Sequence, residues 1–201
     1  MKSVLISIQP KWCEKICNGE KTIEVRKSAP KEVPFKAYIY CTNQKINGEI
    51  LLTNDKKVEG RNRGFRDNGD IPLAGKVIGE FICDKLTHMQ AYRDKNKVLH
   101  LTNIDSDTLQ KTCLKSYELF DYISNRDTHT NVTYNGNLWH ISDLKIYDKP
   151  KELSDFCIPC KTNCEDCKKP LFYDCWKEKG KIKVVTRPPQ SYMWVKELEE
   201  V

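Results

Sequence analysis

Charged side chains are crowded into the short stretch GEKTIEVRK, which spans residues 19–27. Lys21, Glu24, Arg26 and Lys27 place three cations and one carboxylate within seven residues. Cations so close together can neutralise phosphate, and a carboxylate can accept a hydrogen bond from the exocyclic amine of a base. The stretch therefore predicts a binding site for RNA or a nucleotide. The alternative is an ordinary solvated strand whose charges pair with neighbouring strands.

Aromatic and basic residues close to this stretch extend the predicted site. Trp12 follows Lys11 in a predicted helix, and a tyrosine occupies a predicted strand nearby. An aromatic ring beside basic groups is the usual composition for stacking a nucleobase. A place in the hydrophobic core is the alternative for Trp12. The residues predicted to bind RNA or a nucleotide are Lys11, Trp12, Lys15, Lys21, Glu24, Arg26, Lys27 and Tyr40.

A second group with chemical potential is a run of five cysteines: Cys157, Cys160, Cys164, Cys167 and Cys175. Their spacing is C-x2-C-x3-C-x2-C-x7-C. Two C-x2-C pairs can complete a tetrahedral zinc site with four thiolates. The last four cysteines form the set we expect to bind a structural zinc ion, with Cys157 as the spare, because that set leaves the loop more room to close.

Three alternatives to zinc stay open for these cysteines. An iron–sulfur cluster also takes four thiolates, and the spacing does not exclude it. The CIPC segment has the form of a redox pair, but it does not follow a strand and open a helix as that motif requires. Unligated thiols are the third alternative, which such crowding disfavours.

The elements that position these residues are predicted to be mostly short strands. Periodicity and β-formers predict strands at residues 4–9, 21–27, 36–42, 76–86, 139–148 and 191–195, and a short one from residue 50. A helix is predicted from Pro10 to Asn18-Gly19, and a helical pattern covers residues 105–124. Breaker-rich residues 54–75 predict a mobile loop. The pattern favours an α+β fold with a small β-barrel and two or three helices.

Length, charge and the distribution of apolar residues limit the classes of protein that this sequence can form. The 201 residues suit one domain, and the net charge of +6 permits nucleic acid as a partner without demanding it. No apolar run approaches the roughly 20 residues of a membrane span, and the N-terminus lacks signal-peptide features, so we expect a cytoplasmic protein and no membrane partner. The four histidines are scattered, and His140 is predicted to be a buried, hydrogen-bonded residue.

The run ISIQPKWCEKICNGEKTIEVRK resembles the start of an ASCH domain, a branch of the PUA-like superfamily. Gly19, Lys21, Thr22, Glu24 and Arg26 fall in the order of the family's glycine and K-T-x-E-x-R pattern. GKVIGEF and WHISDLKIY resemble its central and later strands, and RPPQSYMWV resembles the ending of bacterial and phage members that often carry a cysteine-rich insert. The resemblance covers residues 1–149 and 186–196.

This resemblance implies one PUA-like barrel over residues 1–201, with the metal-binding insert at residues 150–183. It implies a cleft between the first helix and the barrel mouth and a role in binding RNA or a nucleotide, including regulation of RNA metabolism. We expect that cleft to be lined by Lys21, Glu24 and Arg26.

Some ASCH proteins resemble an amidohydrolase that removes the acetyl group of N4-acetylcytidine, using a lysine, a threonine three residues on and a glutamate on the central strand. Lys21 and Glu80 match the lysine and the glutamate, but Glu24 stands at the threonine position. A carboxylate cannot act as the activated hydroxyl nucleophile. Binding is therefore the favoured function. A hydrolase for modified nucleosides or RNA, an amidohydrolase or ribonuclease, is the alternative, with Lys21 and Glu80 as its catalytic candidates.

Strand geometry sets a condition on this site. Residues three apart on a regular strand face opposite sides, so Lys21 and Glu24 share a site only if the strand starts late or carries a bulge.

Overall fold

The computed structural model describes residues 1–43, 73–127, 129–159 and 184–198, and the backbone of residues 45–46 and 49–50. In chain order the elements are β1 (Ser3–Ile8), α1 (Pro10–Cys17), β2 (Ile23–Arg26), β3 (Phe35–Cys41), β4 (Lys45–Ile46), β5 (Glu49–Ile50), β6 (Val77–Cys83), β7 (Leu86–Arg93), β8 (Leu99–Thr102), α2 (Ser106–Thr112), α3 (Ser116–Ser124), β9 (Tyr134–His140), β10 (Ser142–Lys151), a 3-10 turn (Leu153–Asp155), β11 (Phe156–Cys157) and β12 (Tyr192–Glu197).

The mixture of many strands with three α-helices in the described ranges confirms the predicted α+β class. The strands form a six-stranded sheet in the order β10-β6-β3-β1-β12-β11, a four-stranded sheet in the order β2-β9-β7-β8, and the pair β4-β5. Each sheet ends in two edge strands. The sequence predicted a small β-barrel or a half-open barrel, and a closed barrel is not formed by the residues that the structure describes.

Backbone contacts divide the chain into two compact units. The first unit comprises Met1–Pro10, Lys36–Glu80 and Ile146–Val201, and the second comprises Lys11–Phe35 and Phe81–Lys145.

The first unit is organised around β1, which runs parallel to β3 and antiparallel to β12. The backbone of β1 is therefore paired on both edges, and four of its six residues, Val4, Leu5, Ile6 and Ile8, are buried and apolar. Its core is a cluster of buried apolar and aromatic side chains: Leu5, Tyr38, Tyr40, Val77, Tyr147, Phe156, Val185 and Val195.

The second unit packs α3 against the four-stranded sheet. Leu119, Phe120 and Ile123 lie on one face of α3 and join the buried cluster of that sheet. Both helix ends are capped. The Glu118 carboxylate accepts the Lys115 backbone N–H at 2.8 Å, and the helix ends where Asn125 takes a left-handed conformation.

Several predicted elements are confirmed with small shifts. The strands β1, β3, β6 and β12 and the helix α1 lie where the sequence placed them. The single strand predicted at residues 139–148 is wrong: β9 ends at His140 and β10 begins at Ser142, since the Ile141 N–H donates to Thr22 instead of a strand partner. The strands β7 and β8 were not predicted.

Two predicted segments fall largely outside the described residues. The loop predicted at 54–75 is described only from residue 73, and the insert predicted at 150–183 only up to residue 159. None of the helices in the described ranges has the length and hydropathy needed to cross a bilayer.

Candidate functional site

Two helices hold the backbone just before β2. The Lys21 N–H donates to the Lys15 oxygen of α1 at 2.8 Å, and the Thr22 N–H donates to the Lys111 oxygen of α2 at 3.1 Å. Because these donors are engaged by helices, the strand begins only at Ile23. The condition for a shared site is therefore met, and the Lys21 Nζ lies 3.3 Å from Glu24 Oε2.

The Lys21 ammonium has an acceptor for each of its three N–H groups. It donates to the backbone oxygens of Ile23 at 2.9 Å and Thr112 at 2.8 Å, and it pairs with the Glu24 carboxylate. Its side chain is only 2% exposed. An ammonium with all its donors engaged and no contact with water is held in one position, which suits a structural and electrostatic role.

Glu24 bridges Lys21 to a second cation. Its Oε1 lies 2.9 Å from Arg26 Nε, and both of these side chains are less than 10% exposed. Two cations and one carboxylate leave this buried group with a net charge of +1. Because burial limits screening by water and salt, that charge acts over a longer range than a surface charge would. The group, named here the buried charge cluster, favours an anion at the nearby surface.

At the Lys21 end of the buried charge cluster lies Trp12. The Lys21 Nζ is 5.3 Å from the centre of the indole ring, and the Nζ of the exposed Lys11 is 4.4 Å from it. Both contacts are in the range of cation–π attraction. Trp12 is partly exposed, so the structure places it at the surface of the second unit rather than in its core.

Tyr122, on α3, was missed in the sequence. Burial is the main cause of its raised pKa, and the charges on Arg26 and Glu24 act on that pKa in opposite directions. The residue is 41% exposed, and the Lys27 Nζ lies 5.3 Å from its ring centre. The only sequence signal for Tyr122 was its polar, outward position on the amphipathic α3.

Two other residues that were predicted to bind RNA or a nucleotide, Lys15 and Tyr40, are in positions that suit binding less well. Lys15 pairs with Glu20 at 2.7 Å, and the hydrogen bond from Lys15 to this carboxylate raises the pKa of the lysine. Tyr40 is only 5% exposed and belongs to the apolar core of the first unit, where burial raises its pKa. A buried tyrosine has no ring face to offer a base, so the structure does not support the predicted stacking role of Tyr40.

Glu80 lies in the first unit and has partners there. Its Oε1 accepts from Lys36 Nζ at 2.9 Å, and its Oε2 accepts from the Tyr147 hydroxyl at 2.5 Å. Lys21, in the second unit, has Glu24 as its carboxylate partner. The structure thus assigns separate ion pairs to the two catalytic candidates.

Of the five cysteines in the predicted metal site, the structure describes only Cys157. Cys157 is 1% exposed on β11, opposite Lys196 of β12. Its role as the spare cysteine stays a prediction. Cys160, Cys164, Cys167 and Cys175 lie outside the described residues.

The predicted histidine role is supported by the contacts of His140. Its Nε2 lies 2.9 Å from Thr87 Oγ1, and partial burial lowers its pKa. Within the described ranges, no three His, Cys, Asp or Glu side chains are grouped closely enough to hold a metal ion.

Comparison with known proteins gives a match at the level of the fold. The crystal structure of ASCH from Zymomonas mobilis aligns with a TM-score of 0.51 and 16% identity over 97% of this chain and 88% of that one. A mutant of the same protein aligns with a TM-score of 0.49 and 15% identity over 98% and 91% of the two chains. No family model and no curated protein matches the sequence. The predicted resemblance to ASCH domains is confirmed for the fold.

Proposed function

We propose that this chain, with its ASCH-type fold, binds single-stranded RNA through the surface around α1, β2 and the end of α3. The observation that carries the proposal is that two partly exposed aromatic residues contact lysines of the stretch that holds the buried charge cluster. Trp12 lies beside Lys21, and Tyr122 lies beside Lys27, the residue after Arg26. This surface is named here the α1–β2 face.

The electrostatics of the α1–β2 face suit a polyanion. Lys11 and Lys27 are exposed and lie within 6 Å of an aromatic ring each, while the net positive cluster lies beneath. Exposed cations that contact phosphates release counterions, and this release is the main sequence-independent source of affinity for nucleic acids. The buried cations add a field that salt screens weakly.

The aromatic residues suit bases that are unpaired. Trp12 and Tyr122 are each partly exposed next to an ammonium, and stacking on such a ring tolerates any base. In an RNA duplex the bases are already stacked on one another, so a ring of this kind selects single strands. Glu24, which the sequence suggested as a reader of an exocyclic amine, is engaged with Lys21 and Arg26 and serves to hold them.

The proposal is tested by measuring the affinity for a fluorescein-labelled single-stranded RNA of mixed sequence, about 12 nucleotides long, as a function of salt. We expect affinity to fall steeply with salt for the natural sequence. Lys11→Ala and Lys27→Ala should each weaken binding and reduce the salt slope by about 1. Lys95→Ala, which removes an exposed lysine from the turn between β7 and β8, is the matched control.

Two outcomes would overturn the proposal. One is the absence of RNA binding at low salt. The other is an equal response of the three lysine variants, because binding would then depend on overall charge rather than on the α1–β2 face. A cytidine monophosphate that binds as tightly as the RNA, with little salt dependence, would identify the ligand as a nucleotide.

We also propose a structural zinc ion bound by Cys160, Cys164, Cys167 and Cys175. Their thiolates are the donor set that a closed tetrahedral site requires, and the burial of Cys157 in β11 supports leaving it out of that set. A site of this kind would order the cysteine-rich segment, which has little apolar content of its own.

A further inference from the structure

Strand β12 in the first unit carries a tryptophan whose exposure differs from that of its neighbours. Trp194 is 37% exposed, although Val4, its partner across β1, is completely buried. Tyr192 lies two residues earlier and so on the same side of the strand. The two rings meet edge to face, with centroids 6.3 Å apart and planes at 90°. Such a contact fixes ring orientation, so Trp194 is a positioned surface ring.

Two lysines lie near Trp194. The Nζ of the exposed Lys2 lies 6.0 Å from the centre of its ring. Lys196 follows two residues after Trp194 and therefore lies on the same side of β12, whereas Glu197 lies on the other side. None of the residues that β1 and β12 place on the side of Trp194 is acidic; they are Val4, Ile6, Ile8, Tyr192, Trp194 and Lys196.

The small apolar area argues for a base rather than a protein as the occupant. Val4 and Ile6 beside the aromatic pair are fully buried, so among the described residues of β1 and β12 this side exposes mainly one indole ring and part of a phenol. Stable protein interfaces bury about 800 Å² on each partner, which is far more than these rings present. One base, by contrast, is matched in size by one aromatic ring.

We infer that Trp194 is a stacking platform for one base of a single-stranded RNA, with Lys2 and Lys196 placed beside it to contact the flanking phosphates. Tyr192 acts as a positioning residue that holds the indole ring edge to face. This inference rests on the proposed function that the chain binds RNA. It assigns a second contact to the first unit, with a composition of aromatic and basic residues like that of the α1–β2 face.

Affinity measurements with the same labelled RNA test the inference. Trp194→Ala should weaken binding by about 5-fold to 100-fold, the range seen when one stacking aromatic is removed. Trp194→Phe, which keeps an aromatic ring, should restore a large part of that loss. Tyr117→Ala is the matched control, because Tyr117 is 53% exposed on α3 with Lys115 Nζ 5.9 Å from its ring and belongs to neither proposed contact; it should leave the affinity unchanged.

A direct readout comes from the indole N–H resonances of the ¹⁵N-labelled protein. The Trp194 signal is identified by its loss in Trp194→Phe. We expect the signal of Trp194 to shift on addition of RNA and that of the fully buried Trp139 to stay in place. An unshifted Trp194 signal at saturating RNA would overturn the inference, as would a Trp194→Ala variant with full affinity.

These variants distinguish a failure of the α1–β2 face from a failure of the Trp194 platform. If Lys11→Ala and Lys27→Ala weaken binding while Trp194→Ala does not, the α1–β2 face stands and the platform is wrong. If only Trp194→Ala weakens binding, the platform stands and the assignment of the α1–β2 face is wrong. If the natural sequence binds no RNA, both are wrong.

Discussion

Lys21 donates a hydrogen bond from Nζ to the backbone oxygen of Thr112 at 2.8 Å, and so ties the entrance of β2 to the last residue of α2. The same ammonium pairs with Glu24, which in turn pairs with Arg26. The sequence suggested that Lys21 contacts a phosphate. In the structure, its ammonium instead joins β2 to α2 inside the protein. Stability and binding are expected to depend on different lysines.

Replacement of Lys21 should therefore destabilise the fold. Lys21→Met leaves two buried backbone oxygens without their donor and removes one partner of a buried ion pair, which should lower the free energy of unfolding by about 3 kcal/mol. Lys15→Met breaks the exposed pair with Glu20 and should cost less than about 1 kcal/mol. Denaturant unfolding of the two variants measures both values. Equal losses would contradict a structural role for Lys21.

The purified protein should not deacetylate N4-acetylcytidine. Glu24 replaces the hydroxyl nucleophile of the amidohydrolase branch, and the Lys21 ammonium is fully engaged with Ile23, Thr112 and Glu24. Chromatography of the nucleoside before and after incubation with the protein measures the reaction. Turnover that is present in the natural sequence and disappears in Lys21→Ala would show that Lys21 is catalytic after all.

Asp127 should make the second unit sensitive to acid. The Tyr134 hydroxyl donates to its Oδ2 at 2.6 Å and the His129 backbone N–H donates to its Oδ1 at 2.9 Å, which together lower its pKa from 3.8 to about 2. A carboxyl with a lowered pKa stabilises the folded state above pH 3.8, and this contribution is lost as the pH falls towards 2.

Tyr134→Phe tests this relationship because it removes the hydroxyl and keeps the ring. The pKa of Asp127, followed by NMR of its carboxyl carbon, should rise towards 3.8 in the variant. The melting temperature of the natural sequence should then fall more than that of the variant as the pH is lowered through this range. An unchanged pKa of Asp127 would show that the phenol hydrogen bond contributes nothing.

The zinc content of serine variants should distinguish the cysteine that does not bind the metal from those that do. Cys164→Ser should lose zinc because three thiolates do not close a tetrahedral structural site, whereas Cys157→Ser should keep one zinc ion per chain. Elemental analysis of protein purified without added metal measures this. Iron in place of zinc, with visible absorbance, would favour the iron–sulfur alternative, and zinc loss in Cys157→Ser would assign that residue to the ligand set.

The resemblance and the alternation of apolar residues were enough to predict the fold class and the elements β1, α1, β3, β6 and β12. They could not predict where β2 begins, because this depends on hydrogen bonds from residues 21 and 22 to the preceding helix α1 and to α2, which is distant in sequence. The strand β7 was missed because its buried positions, Met89 and Ala91, are not strong β-formers.

The residue types of the candidate site were also predictable, but their exposure was not. Sequence placed Lys21, Glu24 and Arg26 at the wall of an open cleft, and the structure buries all three. Burial of a charge depends on the partners that reach it, such as the Thr112 oxygen contributed by α2. Tyr122 entered the site for the same reason, since α3 brings its ring to within 5.3 Å of Lys27 Nζ across nearly 100 residues of chain.

β1 lies between β3 and β12 in the six-stranded sheet, so residues 3–6 need residues 192–195 as their second partner. On the ribosome, β3 emerges soon after β1, but the other edge of β1 stays bare until almost all of these residues have been synthesised. A bare edge built of valine, leucine and isoleucine invites pairing with another nascent chain. Premature termination before Tyr192 would therefore yield an aggregation-prone fragment. Chaperones that bind extended apolar segments should help this protein most while it is being translated, before β12 can pair with β1.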